Sequence, residues 1–178
     1  PTDGRLSGHQ AHGGNTRSLA TINLTTGSAT RIGTTGLTST SGGGLAFDSV
    51  GDLYLSATGA GGTLDTLDPS TGARTVGPTL FGSPFSPAGG PIGALNAMAF
   101  NSLGVLYALD SNRNGVALVH LVIVDPLTGM ITDVGSVADN MDDRALAPVP
   151  APSAVAVGAV GTLTAGSPLR AEAPRGEL

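Results

Sequence analysis

The most chemically suggestive residues run Asp110-Ser111-Asn112-Arg113-Asn114-Gly115. Oxygen-bearing side chains at alternate positions, followed by glycine, open a calcium loop: they converge on one cation while the glycine takes the sharp bend. Asp110, Asn112 and Asn114 are therefore the candidate metal ligands, with Ca2+ as the ion. The twelfth position of such a loop is Leu121 rather than Glu, so the EF-hand form fails; a strand-loop-strand variant could take its closing ligand elsewhere, for example from Asp139, Asp142 or Asp143. The same hexapeptide is also rich in turn formers, which gives it a second reading as a polar hairpin loop.

The remaining candidates are weaker. His9 and His12 have a spacing that joins two imidazoles on one metal if a helix forms, but Gly8, Gly13 and Gly14 oppose a helix. Residues 1–17 accordingly read as a flexible N-terminal arm. His120 lies in the strand-like run Val116 to Val124 and reads as a hydrogen-bonded strand residue. No Gly-x-Ser-x-Gly elbow is present, which argues against a serine hydrolase. Asp142 and Asp143 are adjacent, so on a strand they point to opposite faces and cannot address one substrate atom. The glycine clusters at 42–44 and 59–62 lack a following Lys-Ser/Thr and read as loops, not phosphate cradles. No catalytic residue is assigned.

The elements that must position these residues follow a threefold pattern. Leu19 to Gly27 with Ser28 to Gly33, Leu64 to Gly72 with Ala73 to Gly77, and Val122 to Gly129 ending at Val134-Gly135 each read as strand, Thr-Gly turn, strand. In Asp-Pro-x-Thr-Gly, proline presets φ, aspartate bonds its own downstream backbone and glycine supplies the positive φ that closes the hairpin. Between these hairpins lie Gly44 to Asp48 with Gly51 to Leu55, matched by Leu95 to Asn101 with Gly104 to Ala108. Leu45 and Phe47, or Met98 and Phe100, alternate with small residues at the period of a strand with one more buried face. Phe47, Phe100, Tyr54 and Tyr107 are expected to pack between units.

Composition agrees with short strands and frequent turns. The 178 residues include 28 glycines, 12 prolines, no Trp and no Cys, with 40% hydrophobic and 3% aromatic content. That suffices for a packed core and suits turns better than helices. A net charge of −5 and only 12% charged residues leave no electrostatic footprint for nucleic acid or an anionic membrane. No apolar run is long enough for a membrane-spanning helix. The absence of Cys leaves the redox compartment open. A chain opening on Pro1 rather than Met reads as one whose leader was removed or whose frame is incomplete.

Over about residues 18–147 the chain resembles bacterial exported β-propeller repeat proteins whose blades carry the pattern Leu-x-x-Ile-Asp-Pro-x-Thr-Gly, Val-Gly, Leu-Ala-Phe-Asp-x-x-Gly-x-Leu-Tyr. The resemblance implies an all-β fold of four-stranded antiparallel blades in an incomplete ring of roughly two to three blades, since closed rings need four or more. Arg144-Ala145-Leu146-Ala147 reads as the start of a further blade. After it, residues 148–178 form a Pro/Ala-rich tail. Val149-Pro150-Ala151-Pro152, the apolar stretch Ser153 to Ala165, and Arg170 and Arg175 are similar to a PEP-C-terminal sorting signal. That similarity implies the cell surface or extracellular matrix.

The leading expectation is a non-enzymatic exported binding or scaffold module with a carbohydrate or matrix ligand, with no cofactor required and Ca2+ a candidate structural ion. A second reading is a propeller-type hydrolase or lactonase fragment whose channel carboxylates would be drawn from Asp48, Asp52, Asp68 and Asp125. A third is a structural protein whose open blade edges join protomers into rings or fibres, that is, a homo-oligomer.

Overall fold

A computed structural model describes residues 6–12, 16–38, 43–57, 62–86, 95–111 and 119–137. Over these the chain is all-β, in three antiparallel sheets. The first contains β1 (Leu6–His12), β2 (Thr16–Ile22) and β3 (Ala29–Thr34). The second contains β4 (Gly43–Phe47), β5 (Leu53–Ala57), β6 (Leu64–Leu67) and β7 (Arg74–Thr75). The third contains β8 (Asn96–Phe100), β9 (Leu106–Ser111), β10 (Val119–Val124) and β11 (Ile131–Ser136). Each is a simple meander in chain order. Among the described residues no helix is long and apolar enough to cross a membrane.

The arm foreseen for residues 1–17 contains β1, which pairs with β2 from Leu6↔Ile22 to His12↔Thr16. Its sequence, Leu-Ser-Gly-His-Gln-Ala-His, lacks apolar alternation, so the partner strand rather than the local pattern sets its conformation. The pairing takes the β2-facing backbone donors and acceptors of Leu6–His12 into a ladder, where they are satisfied.

The turns are built as the sequence implies. Gly27, Gly72 and Gly129 have φ of 71°, 75° and 79°. In each hairpin the amide of the glycine donates to the carbonyl of Asn23, Asp68 or Asp125, at 2.8 Å in all three. The side chains of the same three residues accept from the turn amides that follow them.

The sheets pack face to face in series. Leu19 and Leu37 of the first sheet and its following segment join Leu53, Leu55, Ala57 and Leu67 of the second in one core, with Ile32, Leu45 and Phe47 against it. The other face of the second sheet, through Ala46 and Leu64, joins Met98, Leu106, Ala108, Val122, Val124 and Ile131 of the third. Tyr54 and Phe100 meet in this second core with ring centroids 5.2 Å apart. Gly44 is needed where the first strands β4 and β8 approach: a Cβ there would lie 2.6 Å from Met98 Cγ.

Backbone contacts tie neighbouring sheets at their rims. Phe81, in the segment after β7, donates its amide to Gly129 and accepts from the amide of Ile131. A Cβ on Gly129 would sit 2.3 Å from Thr79 O, and one on Gly33 would sit 1.9 Å from Thr71 O. In both places a turn of one sheet is wedged against the strand-end backbone of the preceding one.

Candidate functional site

Meander connectivity sorts the candidate residues into two groups. The hairpin turns at 48–52 and 68–73 cap one end of the second sheet, and those at 101–105 and 125–130 cap one end of the third. Residues at the far ends of β9 and β10 stand at the other end of the third sheet.

The acids at the turn end are held by their own turns. Asp48 Oδ1 accepts from the amides of Val50, Gly51 and Asp52 at 3.0, 2.9 and 2.8 Å. Asp52 is exposed, and its backbone carbonyl accepts from the Asp48 amide. Asp68 Oδ1 accepts from the Ser70 hydroxyl at 2.6 Å and from the amides of Ser70 and Thr71. The Ser70 hydroxyl and amide, with further help from Thr71, hold the Asp68 carboxyl down at about 2. Asp125 accepts from the Thr128 hydroxyl at 2.7 Å and the Leu127 amide at 2.9 Å, and its pKa is lowered by these bonds, the hydroxyl foremost. Hydrogen bonds to the ionised form favour it, so the low values belong to turn caps.

Asp110 lies at the other end and is the one candidate ligand of the calcium reading within the described residues. It is 3% exposed, and its Oδ2 accepts from the Ser83 hydroxyl at 2.6 Å. Ser83 Oγ in turn accepts from the Phe85 amide, which closes a small turn in the segment after β7. Directly across the β9–β10 ladder from Asp110 is His120, whose Nδ1 is 2.8 Å from Asp133 Oδ1. The Phe85 ring meets the His120 ring edge-on, with centroids 5.0 Å apart. Burial pushes the Asp110 carboxyl above its usual range; the Ser83 hydroxyl and then His120 oppose this, and Asp133 adds to it. Asn96 and Ser111 are joined at the same end through Nδ2 and Oγ at 2.9 Å.

The arrangement pins the segment around Ser83 onto the third sheet. Ser83 gives its proton to a carboxylate rather than to an imidazole, so it is not the activated nucleophile of a Ser-His pair. What the cluster offers chemically is a carboxyl biased toward its neutral form beside an imidazole that carries its own carboxylate partner. Asn112, Asn114, Asp139, Asp142 and Asp143 lie outside the described residues. Among those described, no three His, Asp or Glu side chains are grouped to hold a metal ion. His9 and His12 occupy β1 positions opposite Leu19 and Thr16.

A second buried acid carried no signal in the sequence. Asp65 on β6 is fully buried; its Oδ2 takes the Arg74 guanidinium at 2.8 Å and its Oδ1 accepts from the Gly77 amide. It fills the place where the β6–β7 ladder breaks after two pairs, Thr66↔Thr75 and Leu67↔Arg74. A lone Asp between Leu64 and Thr66 could have been suspected of needing a cation, but nothing in the local pattern selects Arg74.

The chain matches no protein-family model and no curated protein.

Proposed function

We propose that this chain is a non-catalytic module of β-propeller type from an exported bacterial surface or matrix protein, acting as a binding scaffold with carbohydrate as its ligand class. The observation that carries the non-catalytic part is the fate of the turn acids. Asp48, Asp68 and Asp125 engage side-chain oxygens with the backbone or hydroxyls of their own turns, as hairpin caps do. The propeller reading is supported by the serial packing of three meanders, in which the first strands of the second and third, β4 and β8, lie side by side. Export rests on the resemblance of residues 148–178 to a sorting tail, and ligand binding on the tendency of such architectures to present loops from one end of their strands.

The test is a glycan array run alongside a broad screen of ester, lactone and glycoside substrates. Saturable glycan binding with no turnover is the expected result; turnover that copurifies with the chain would overturn the reading. One observation favours an enzyme instead, the buried Asp110 beside His120, because perturbed carboxyls cluster at active sites. Under that alternative Asp110→Asn would abolish whatever turnover the screen finds.

A further inference from the structure

We propose that Phe85, His120 and Asp133 form a subsite for an uncharged sugar ring, at the rim where the segment after β7 lies against β10 and β11. The inference rests on the carbohydrate reading above and deepens it by naming the residues that hold the ligand.

The three side chains fix one another. Asp133 Oδ1 accepts from the Gly135 amide at 3.0 Å and lies 2.8 Å from His120 Nδ1. An ionised carboxylate only accepts, so Nδ1 carries the proton of that bond, and the neutral imidazole keeps Nε2 as an acceptor. The Phe85 ring meets the imidazole edge-on, with centroids 5.0 Å apart. Phe85 is itself placed from below: buried Asp110 accepts from the Ser83 hydroxyl, whose oxygen accepts from the Phe85 amide. Among the described residues nothing bonds Asp133 Oδ2 or His120 Nε2. The side chains of His120 and Asp133 are 17% and 40% exposed, and Phe85 is half-buried, so the cluster is open to a ligand.

Two fixed acceptors beside an aromatic ring suit a ligand that brings hydroxyl donors and an apolar C–H face together. A hexose ring does so: neighbouring hydroxyls give their hydrogens to Oδ2 and Nε2, and its C–H bonds rest against the electron-rich ring. A phosphate or carboxylate ligand would set acceptors against acceptors. A cation fits less well, because the imidazole and the Gly135 amide already answer the Asp133 charge, and a single ring is not an aromatic cage. The acceptors are held before the ligand arrives, which spares the cost of ordering them.

The repeat does not require this trio. At the spacing of the turn glycines Gly72 and Gly129, His120 and Asp133 correspond to Thr63 and Val76; at the spacing of Gly27 and Gly129 they correspond to Ser18 and Arg31. The first sheet even repeats the bulge, between Leu19 and Ala20 as between Leu121 and Val122. The same strand pair is therefore built without a His–Asp pair, which leaves that pair available for binding.

An array of neutral oligosaccharides probed with the full chain tests the site. The native chain should bind. Asp133→Asn, which removes the acceptor's charge, and Phe85→Leu, which removes the ring but keeps apolar volume, should each weaken binding about tenfold while far-UV circular dichroism stays native. Leu127→Ala, at an exposed turn of the third sheet, should leave binding unchanged. Should Phe85→Leu fail to fold, the native protein answers through its three histidines. In 15N imidazole spectra the resonance that His120→Gln removes should shift on titration with the best-bound oligosaccharide, and the others should stay in place. Native-like glycan binding by Asp133→Asn and Phe85→Leu would overturn the subsite and leave the carbohydrate reading standing. No glycan binding by the native chain would overturn both. A His120 shift with tetramethylammonium chloride and with none of the oligosaccharides would overturn the proposal in favour of a cation site.

Discussion

Gly129→Ala and Gly27→Ala ask whether the sheets are wedged together at their turns. The two glycines occupy equivalent hairpins with nearly equal φ, 79° and 71°, so an L side chain meets the same backbone penalty of about 1–2 kcal/mol in each. Their surroundings differ. A Cβ at Gly27 has nothing within 4 Å, whereas one at Gly129 lies 2.3 Å from Thr79 O and 3.3 Å from Pro78 Cβ. Relieving that overlap means moving backbone of the second sheet's outer segment, an overpacking cost of about 1–3 kcal/mol beyond the backbone term. For a chain of this length, where 1 kcal/mol moves Tm by about 3 °C, Gly27→Ala should melt about 3–6 °C below the native protein. Gly129→Ala should melt a further 3–9 °C lower, roughly. The assay is thermal melting followed by circular dichroism, with urea midpoints compared at constant m. Equal losses for the two variants would refute the reasoning, because the only difference invoked is the contact between sheets.

Arg74→Ala leaves the fully buried Asp65 without its cation and should destabilise by about 3–5 kcal/mol, measured by urea unfolding; a loss below about 1 kcal/mol would mean that the Gly77 amide alone satisfies the carboxylate. Because the folded pKa of Asp110 is raised by burial, its contribution favours the folded state at low pH and is lost as pH climbs from the ordinary carboxylate value through the raised one. Asp110→Asn should therefore flatten that part of the pH–Tm profile and leave the protein at least as stable at neutral pH, and a marked loss there would show that the charged form is the favoured one. Asp68 has the opposite sign: its folded value of about 2 gives stability present above the unfolded pKa and lost as pH falls through 2. Asp68→Ala should lower Tm at pH 7 and match the native protein below pH 2; a difference that persists in acid would point to packing rather than charge.

Local chemistry made much of this architecture legible. The hairpins could be read from Asp-Pro-x-Thr-Gly and its relatives because every force that closes them, a preset φ, a carboxylate reaching two or three residues on and a glycine at positive φ, acts within five residues. Leu45, Phe47, Met98 and Phe100 could be assigned to buried faces because strand geometry alone fixes their period of two. Those same turn motifs made Asp48, Asp68 and Asp125 resemble available acids, when their hydrogen bonds go to the turns they help to form.

What tertiary structure alone decided lies in contacts distant along the chain. β1 has no pattern of its own and becomes a strand by pairing with β2. Ser83 reaches Asp110 across 27 residues, and His120 reaches Asp133 across 13, past a bulge between Leu121 and Val122. Period and propensity describe neighbours in sequence, whereas a buried polar pair is chosen by which backbones the packed sheets bring together. The repeated turns could therefore be read directly from the residues, while the one cluster with unusual chemistry emerged only when the segment after β7 was laid against the third sheet.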